Sequence, residues 1–486
     1  MKKYIFTLLL GALIFGLSGC SGLLETNPSS SVSDSDVFKT VNGAKSALNG
    51  CYFQMESGDG GANRSDDWGY PTHQMTYDVC GEDMIVWGGW YGYDYNFWGH
   101  TRGDIFKSSC LWIFYYRLIN NLNSVITYTP DAEGDVSERD HVLGQAYAMR
   151  GWAYFQLIRL YQHTYIIAQN MPGVPIYLEP TTDQTEGKPR GTVQQVYDQI
   201  LLDLLEGERL LDGYNRGTRK NRINQKVCQG FLAEVYLTMN KWSDAATYSA
   251  KARSGMSLTT NAQYLAGFND YSTPSWMWGI APTKDQNMGD YSPFAMWANW
   301  SRNGYTFQCF FLADKFVELF DQNDIRFSQV GWVWSQIHTS DKFRDNDELI
   351  GNIVFMRTEE MLLIEAEALA RQGQEGGAKT LLWTLQDLRG AVRSQSSGSD
   401  LIEDILIERR KELYGEGFAW FDMIRNQKPL VRAGNHINYG GYTPLPARSW
   451  RFVYQIPNAE IINNVSLESG FWPNGDQTPF DGIYQP

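Results

Sequence analysis

Histidine is scarce, with 6 in 486 residues. His73, His100, His141, His163, His338 and His436 lie far apart, and no H-E-x-x-H occurs, so no metal-ligand spacing is present. A G-x-S-x-G elbow and a phosphate-binding glycine loop are both missing. Cysteine is also rare. Beyond Cys20 there are Cys51, Cys80, Cys110, Cys228 and Cys309, an odd and dispersed set that cannot all pair and reads as small buried hydrophobes. Basic residues are outnumbered, 41 against 55 acids, giving a net charge of -14. That excludes nucleic-acid binding as the main task and argues against electrostatic docking on anionic lipid. Adjacent acids such as Asp66–Asp67 and Glu359–Glu360 diverge in direction. A glycosidase needs two carboxylates at a set separation across a cleft, which sequence spacing neither shows nor excludes. No cofactor and no metal is implied.

What is abundant is aromatic: 14% of residues, including 17 Trp and 28 Tyr. Such an excess points either to heavy ring packing or to a stacking surface. With 43% hydrophobic residues the chain can bury a large core. The N-terminus carries Lys2 and Lys3, an apolar run from Tyr4 to Leu17, and then Leu17-Ser18-Gly19-Cys20. This resembles a bacterial lipobox. Residues 1–19 read as a lipoprotein signal peptide, Cys20 as the lipidated residue, and the Ser-rich segment 20–36 as a flexible tether. Residues 37–486 read as a single domain.

Apolar residues recur at helical period over Val37–Phe53, Asp104–Ile126, Val142–Tyr165 and Thr192–Leu211. Gln225–Met239 with Trp242–Arg253, and Val354–Arg371 with Gly377–Leu388, place small residues where paired helices of a tetratricopeptide unit approach. Val142–Tyr165 with Thr192–Leu211 makes a third pair, split by an extended arm at Pro172–Pro180. The expected fold is therefore mainly α, a tetratricopeptide-like helical superhelix. Two aromatic-rich irregular insertions interrupt it, near residues 58–104 and 255–351. The second is too long for a structureless loop and reads as an irregular subdomain.

Charge and aromatics are densest from Glu408 to Arg425. Asp400 with Glu403 suits a capping box for the helix leading in, and Gly415 and Gly417 break that helix before a second turn. Equal numbers of acids and bases suggest mutual satisfaction of Glu412, Glu416 and Asp422 by Arg409, Arg410 and Arg425, because unpaired buried ions cost several kcal/mol each. The stretch resembles the signature of SusD/RagB-type outer-membrane nutrient-binding lipoproteins, E-R-R-x-E-L-x-x-E-G-x-R-W-x-D-L-x-R. Glu408, Arg409, Arg410, Glu412, Leu413, Glu416, Gly417, Trp420, Asp422 and Arg425 match, while Ala419 stands where the pattern has arginine. The helix with Arg150, Tyr154, Phe155 and Leu157, the Pro172–Pro180 arm and the Tyr454–Asn463 tail are similar to that family as well.

The resemblance implies a non-catalytic glycan-binding lipoprotein that caps a SusC-like TonB-dependent transporter in the outer membrane, facing the cell exterior. It places the ligand on an aromatic face built from an early loop and a later insertion. Trp87, Trp90, Tyr93, Trp98 and Asp83 are the candidates from the first, and Trp276, Trp278, Trp297 and Trp300 from the second. An indole covers the C–H face of a sugar ring. Roughly 60 Å² buried per stack gives about 1.5 kcal/mol, so two or three stacks imply roughly millimolar to high-micromolar affinity. Repeats along a polymer then raise avidity. Three other readings stay open: peptide capture by a RagB-like relative, a periplasmic repeat scaffold, and a glycosidase. On this view Glu408–Arg425 is a structural clasp.

Overall fold

The computed structural model describes residues 37–57, 68–87, 91–97, 100, 102–286, 288–289, 292–297, 309–333, 337–345, 349–436 and 444–467. The signal peptide, Cys20, the tether, Trp90, Trp98 and Trp300 lie outside the described residues. Helices dominate. The longer ones are α1 (Val41–Ser57), α2 (Tyr70–Val79), α3 (Phe106–Tyr128), α4 (Val136–Tyr161), α5 (Val193–Leu210), α6 (Gln225–Thr238), α7 (Trp242–Arg253), α8 (Thr358–Arg371), α9 (Glu375–Arg389), α10 (Gly398–Leu413) and α11 (Ala419–Arg425). Among the described residues eight short strands complete the architecture: β1 (Met84–Val86), β2 (Pro172–Pro175), β3 (Arg190–Thr192), β4 (Trp276–Ile280), β5 (Phe310–Leu312), β6 (Val330–Val333), β7 (Ile337–Ser340) and β8 (Ile353–Arg357).

The three expected helix pairs form: α4 packs on α5, α6 on α7, and α8 on α9. They also stack on one another, α5 against α6 and α7 against α8. The long insertion between α7 and α8 therefore leaves the superhelix unbroken. Small residues set the spacing. A Cβ on Gly207 of α5 would lie 3.0 Å from the Ala148 nitrogen and the Gly144 oxygen of α4. Ala233, Ala245, Ala252, Ala366 and Ala378 are all buried at the pair contacts. Arg150 of α4 reaches Asp203 of α5 with a two-pronged contact at 2.7 and 2.8 Å and also holds Asn123 of α3. The β2–β3 ladder straps the arm across the α4–α5 pair, and Thr192 closes a capping box with Gln195 to start α5.

Some elements differ from the pattern read in the sequence. Residues 354–357 are a strand rather than a helix start: β8 pairs antiparallel with β4, and every residue of both is buried. A continuous apolar run bears no period that separates strand from helix. Asp400 and Glu403 make no capping box. α10 begins at Gly398, whose N–H is taken by the Glu375 carboxylate of α9 at 2.8 Å, so a neighbouring helix supplies the cap. The insertion also builds a four-stranded sheet in the order β1-β5-β7-β6, joining the early aromatic loop to the later one. The five cysteines beyond Cys20 are buried, and none is in a disulfide among the described residues.

Candidate functional site

The Glu408–Arg425 stretch forms a buried ionic junction, but its partners come mostly from elsewhere. Gly415 and Gly417 have φ of 78° and 91°, a left-handed conformation that turns the chain from α10 into α11. Glu412 accepts from Arg326 Nη1 (2.9 Å), Arg357 Nη1 (2.7 Å), and Arg389 Nε and Nη2 (3.0 and 2.8 Å). Glu416 takes Arg357 Nε (2.7 Å) and Lys342 Nζ (2.6 Å), and Glu408 takes Arg326 Nη2 (2.6 Å). From inside the stretch, Arg409 and Arg425 serve Asp422, and Lys411 meets Glu408 at 3.4 Å. Arg425 also grips Glu367 of α8. The expected mutual satisfaction is thus corrected: adjacent acids and bases on one helix point to different elements, and the knot ties α8, α9, α10 and the 324–342 segment together.

The electrostatics match a structural role. Burial raises the Glu412 carboxyl, yet Arg389 and Arg357 outweigh it and hold the group well below the usual carboxylate range. The same balance, with Arg425 as the cation, brings Glu367 down to about 2. Burial pulls Lys342 down to about 8 against the raising pull of Glu416. Asp78 is the exception. Burial pushes it up to about 7, eased only by the Gly417 and Ala419 N–H donors and more distant charges. Where the resemblance pattern has arginine, Ala419 borders a cavity of about 60 Å³ next to Arg410 and Asp422.

Several of the proposed ligand contacts lie in the core. Trp278 packs edge-on to Trp152, Phe231 and Phe355 and stacks on Tyr70. Trp276 sits on the same buried strand, near Phe268, and Trp297 is enclosed by Phe310, Phe343 and Tyr414. These three indoles are at most 2% exposed, so none offers a face to a sugar. Asp83 is also turned inward, its carboxylate held by Arg410 Nε at 3.0 and 3.2 Å, which makes it part of the clasp. Trp87 and Tyr93, in contrast, are 46% and 49% exposed.

A further ring was passed over in the sequence. Trp332, 54% exposed, stands on β6 at the edge of the four-stranded sheet. Its indole lies 3.8 Å from the His338 ring, which faces it across the β6–β7 ladder. Asp314 in turn lies 3.5 Å from His338 Nε2. Burial lowers the His338 pKa and Asp314 opposes the shift, so the ring is neutral at physiological pH. The Asp314 N–H is held by Asn435, and the neighbouring His436 bonds Tyr95 and the Glu82 carbonyl. Alternation on β6 (Val-Gly-Trp-Val) is too short to reveal that Trp332 points outward. Its pairing with His338 was the available signal, and it depends on a register the sequence does not state. Among the described residues no group of three His, Cys, Asp or Glu gathers to hold a metal ion.

A helical-repeat scaffold closed by a buried ionic clasp and bearing an aromatic insertion defines the class. A family model described as starch-binding, associating with the outer membrane, matches residues 69–237, and the SusD family model matches residues 321–473. The chain belongs to the SusD/RagB family. SusD-like protein P38 of Formosa agariphila is 23% identical over 89% of this chain and 94% of its own. The structure of a SusD-like carbohydrate binding protein from Bacteroides vulgatus superposes with a TM-score of 0.82 at 28% identity, covering 92% of this chain and all of that one. Surface glycan-binding protein A from Bacteroides thetaiotaomicron shares the fold, with a TM-score of 0.69 at 18% identity over 88% of this chain and 98% of its own. Among the described residues no helix is long and apolar enough to cross a membrane.

Proposed function

We propose that this protein binds glycans without catalysis, at the outer face of a bacterial outer membrane, and passes them to a SusC-like TonB-dependent transporter. Lipidated Cys20 is the anchor in this reading. The observation that carries it is the Trp332 platform: an exposed indole backed by a neutral imidazole that a carboxylate steadies. Trp87 emerges from β1, at the opposite edge of the same sheet, and Tyr93 follows on the one-turn helix Gly92–Tyr95. Rigid rings on a fixed sheet lose little freedom on binding, so most of their buried area becomes affinity. The carbohydrate-binding description of the 28% identical B. vulgatus relative supports the ligand class. Against a glycosidase stands the fate of the carboxylates crowding the clasp. Glu408, Glu412 and Glu416 are buried and committed to arginines and Lys342.

One feature favours peptide capture as a second reading. β6 ends the four-stranded sheet, and an extended peptide could add to such an edge beside Trp332. Affinity electrophoresis through gels containing single polysaccharides separates the two. Glycan capture predicts retardation by at least one polysaccharide. No retardation by any, with peptides co-purifying, would transfer the function to peptides. Protease shaving of intact cells tests the location: a surface protein is cut before lysis, and a periplasmic scaffold only after it.

A further inference from the structure

The loop between α5 and α6 breaks the charge pattern of the chain. Residues 216–222 read Arg-Gly-Thr-Arg-Lys-Asn-Arg, four cations in seven residues of a protein with net charge -14. None of the four is in an ion pair among the described residues. Arg216 is spent on the carbonyls of Lys220, Arg222 and Met277. Lys220 Nζ reaches only the Thr273 carbonyl, and Arg219 only the Arg216 carbonyl at 3.4 Å. Arg222 Cζ lies over the Tyr52 ring, 4.2 Å from its centroid, with Nη1 buried and unbonded. The nearby Glu56, bonded by Asn221 and Gln286, forms no ion pair with them among the described residues and does not line the cleft beside this loop.

This loop forms one wall of a cleft of about 330 Å³. The opposite wall comes from α1 and α4: Lys45, Asn49 and Tyr52 face Glu138, His141 and Gln145. Glu138 is the one carboxylate lining it, and it is paired with Lys45 at 2.7 Å. With Lys45 and Glu138 paired, Arg219 and Arg222 give the cleft lining a net positive charge. The Tyr52 hydroxyl is fixed between Gln145 and the Ile223 N–H, and the Tyr214 ring lies 5.0 Å from His141. The cleft thus combines guanidinium donors, an amide-bearing Asn49 and partly covered rings, at the lower end of the volume range of small-molecule sites. Like charges held together raise one another's cost, as the Lys220 ammonium shows: burial, then Arg216, brings it down to about 8.

We infer that this cleft, lined by none of the platform's exposed rings, binds the oxyanion of an acidic sugar residue, the carboxylate of a uronic acid or a sulfate ester. The inference rests on the glycan-capture reading and adds a ligand class to it. Guanidinium forks suit both oxyanions and form stronger hydrogen bonds with them than with hydroxyls. A bound oxyanion would relieve the mutual repulsion of the loop.

The test is calorimetry at low salt with three probes, an oligogalacturonate, a sulfated carrageenan oligosaccharide and a neutral galactan oligosaccharide, plus inorganic sulfate alone. At least one acidic oligosaccharide should bind more tightly than the neutral one. Arg219→Ala and Arg222→Gln should each weaken the acidic ligand about tenfold and leave neutral-glycan binding unchanged. Arg222→Lys should fall between. Arg219 is exposed, with one long bond to the Arg216 carbonyl, so its variant keeps the test valid if Arg222→Gln unfolds. Which acidic probe responds identifies carboxylate or sulfate. If neutral glycans bind and the arginine variants change nothing with acidic ones, this inference fails and glycan capture stands. If inorganic sulfate binds but no acidic oligosaccharide gains over the neutral one, the cleft is a bare anion site and the inference is overturned. If no glycan binds at all, both readings fall.

Discussion

Replacing Glu412 by glutamine keeps the size of the side chain and removes one charge from the centre of the clasp. Four N–H groups from Arg326, Arg357 and Arg389 converge on this carboxylate, at 2.7 to 3.0 Å. All three guanidiniums are fully buried, so water cannot take over. Glutamine offers one acceptor oxygen and brings an NH₂ group against cations. Removing one partner of a buried pair costs about 3–5 kcal/mol, against a total stability of about 5–15 kcal/mol. Asp324, Glu359, Glu408 and Glu416 still neutralise the arginines in part, which keeps the cost within that range. Urea unfolding followed by tryptophan fluorescence should show a midpoint lowered accordingly. Glycan affinity of the folded fraction should match the parent. Arg409→Gln, also at a buried position, should cost less, about 1–2 kcal/mol, because its partner Asp422 is partly exposed and keeps Arg425. A Glu412→Gln protein with the parent's unfolding midpoint but no glycan binding would refute the clasp and place the site there.

Three further outcomes follow from the packing and the charges. Asp78 titrates near 4 when unfolded but near 7 in the folded protein. The folded state therefore holds the extra proton between those values, and stability falls as pH rises through that window, by up to about 4 kcal/mol; Asp78→Asn should flatten this slope in melting curves taken from pH 4 to 8. Glu367 runs the other way. Its folded value of about 2 lies below the unfolded one, so its contribution, about 3 kcal/mol, is present above pH 4.5 and lost on acidification towards pH 2. Glu367→Gln should remove that acid sensitivity, read by circular dichroism. Trp278→Ala should cost about 3–5 kcal/mol in urea unfolding, whereas Trp332→Ala should change stability by under about 1 kcal/mol.

The helical scaffold was legible because its signals are local. The pairs around Ala233, Ala245, Ala366 and Ala378 follow from helical period and small residues, and the structure stacks them as expected. The clasp was legible as a knot of charge, but its wiring was not. Arg326, Arg357, Arg389 and Lys342 lie 23 to 86 residues from the acids they serve, and nothing in local spacing selects them. The aromatic site was the least legible part. A tryptophan in a glycine-rich loop and one in a buried strand look alike when the strand is short and apolar on both faces. Trp276 and Trp278 went into the core through the β4–β8 pairing, while Trp332 stayed outside because β6 is an edge. Both outcomes depend on strand partners more than 50 residues away or on sheet order, and hydrophobic pattern encodes neither.

The central claim is that exposed rings on the insertion capture glycan. It is tested most directly by titrating the best-retarding oligosaccharide into parent, Trp332→Ala, Trp87→Ala and Trp332→Ala/Trp87→Ala double-variant proteins by calorimetry. Losing one stack of about 1.5 kcal/mol should weaken binding roughly tenfold in each single variant, with melting temperatures close to the parent's. Parent-like affinity in the double variant, with the fold intact, would contradict the account and require another ligand surface.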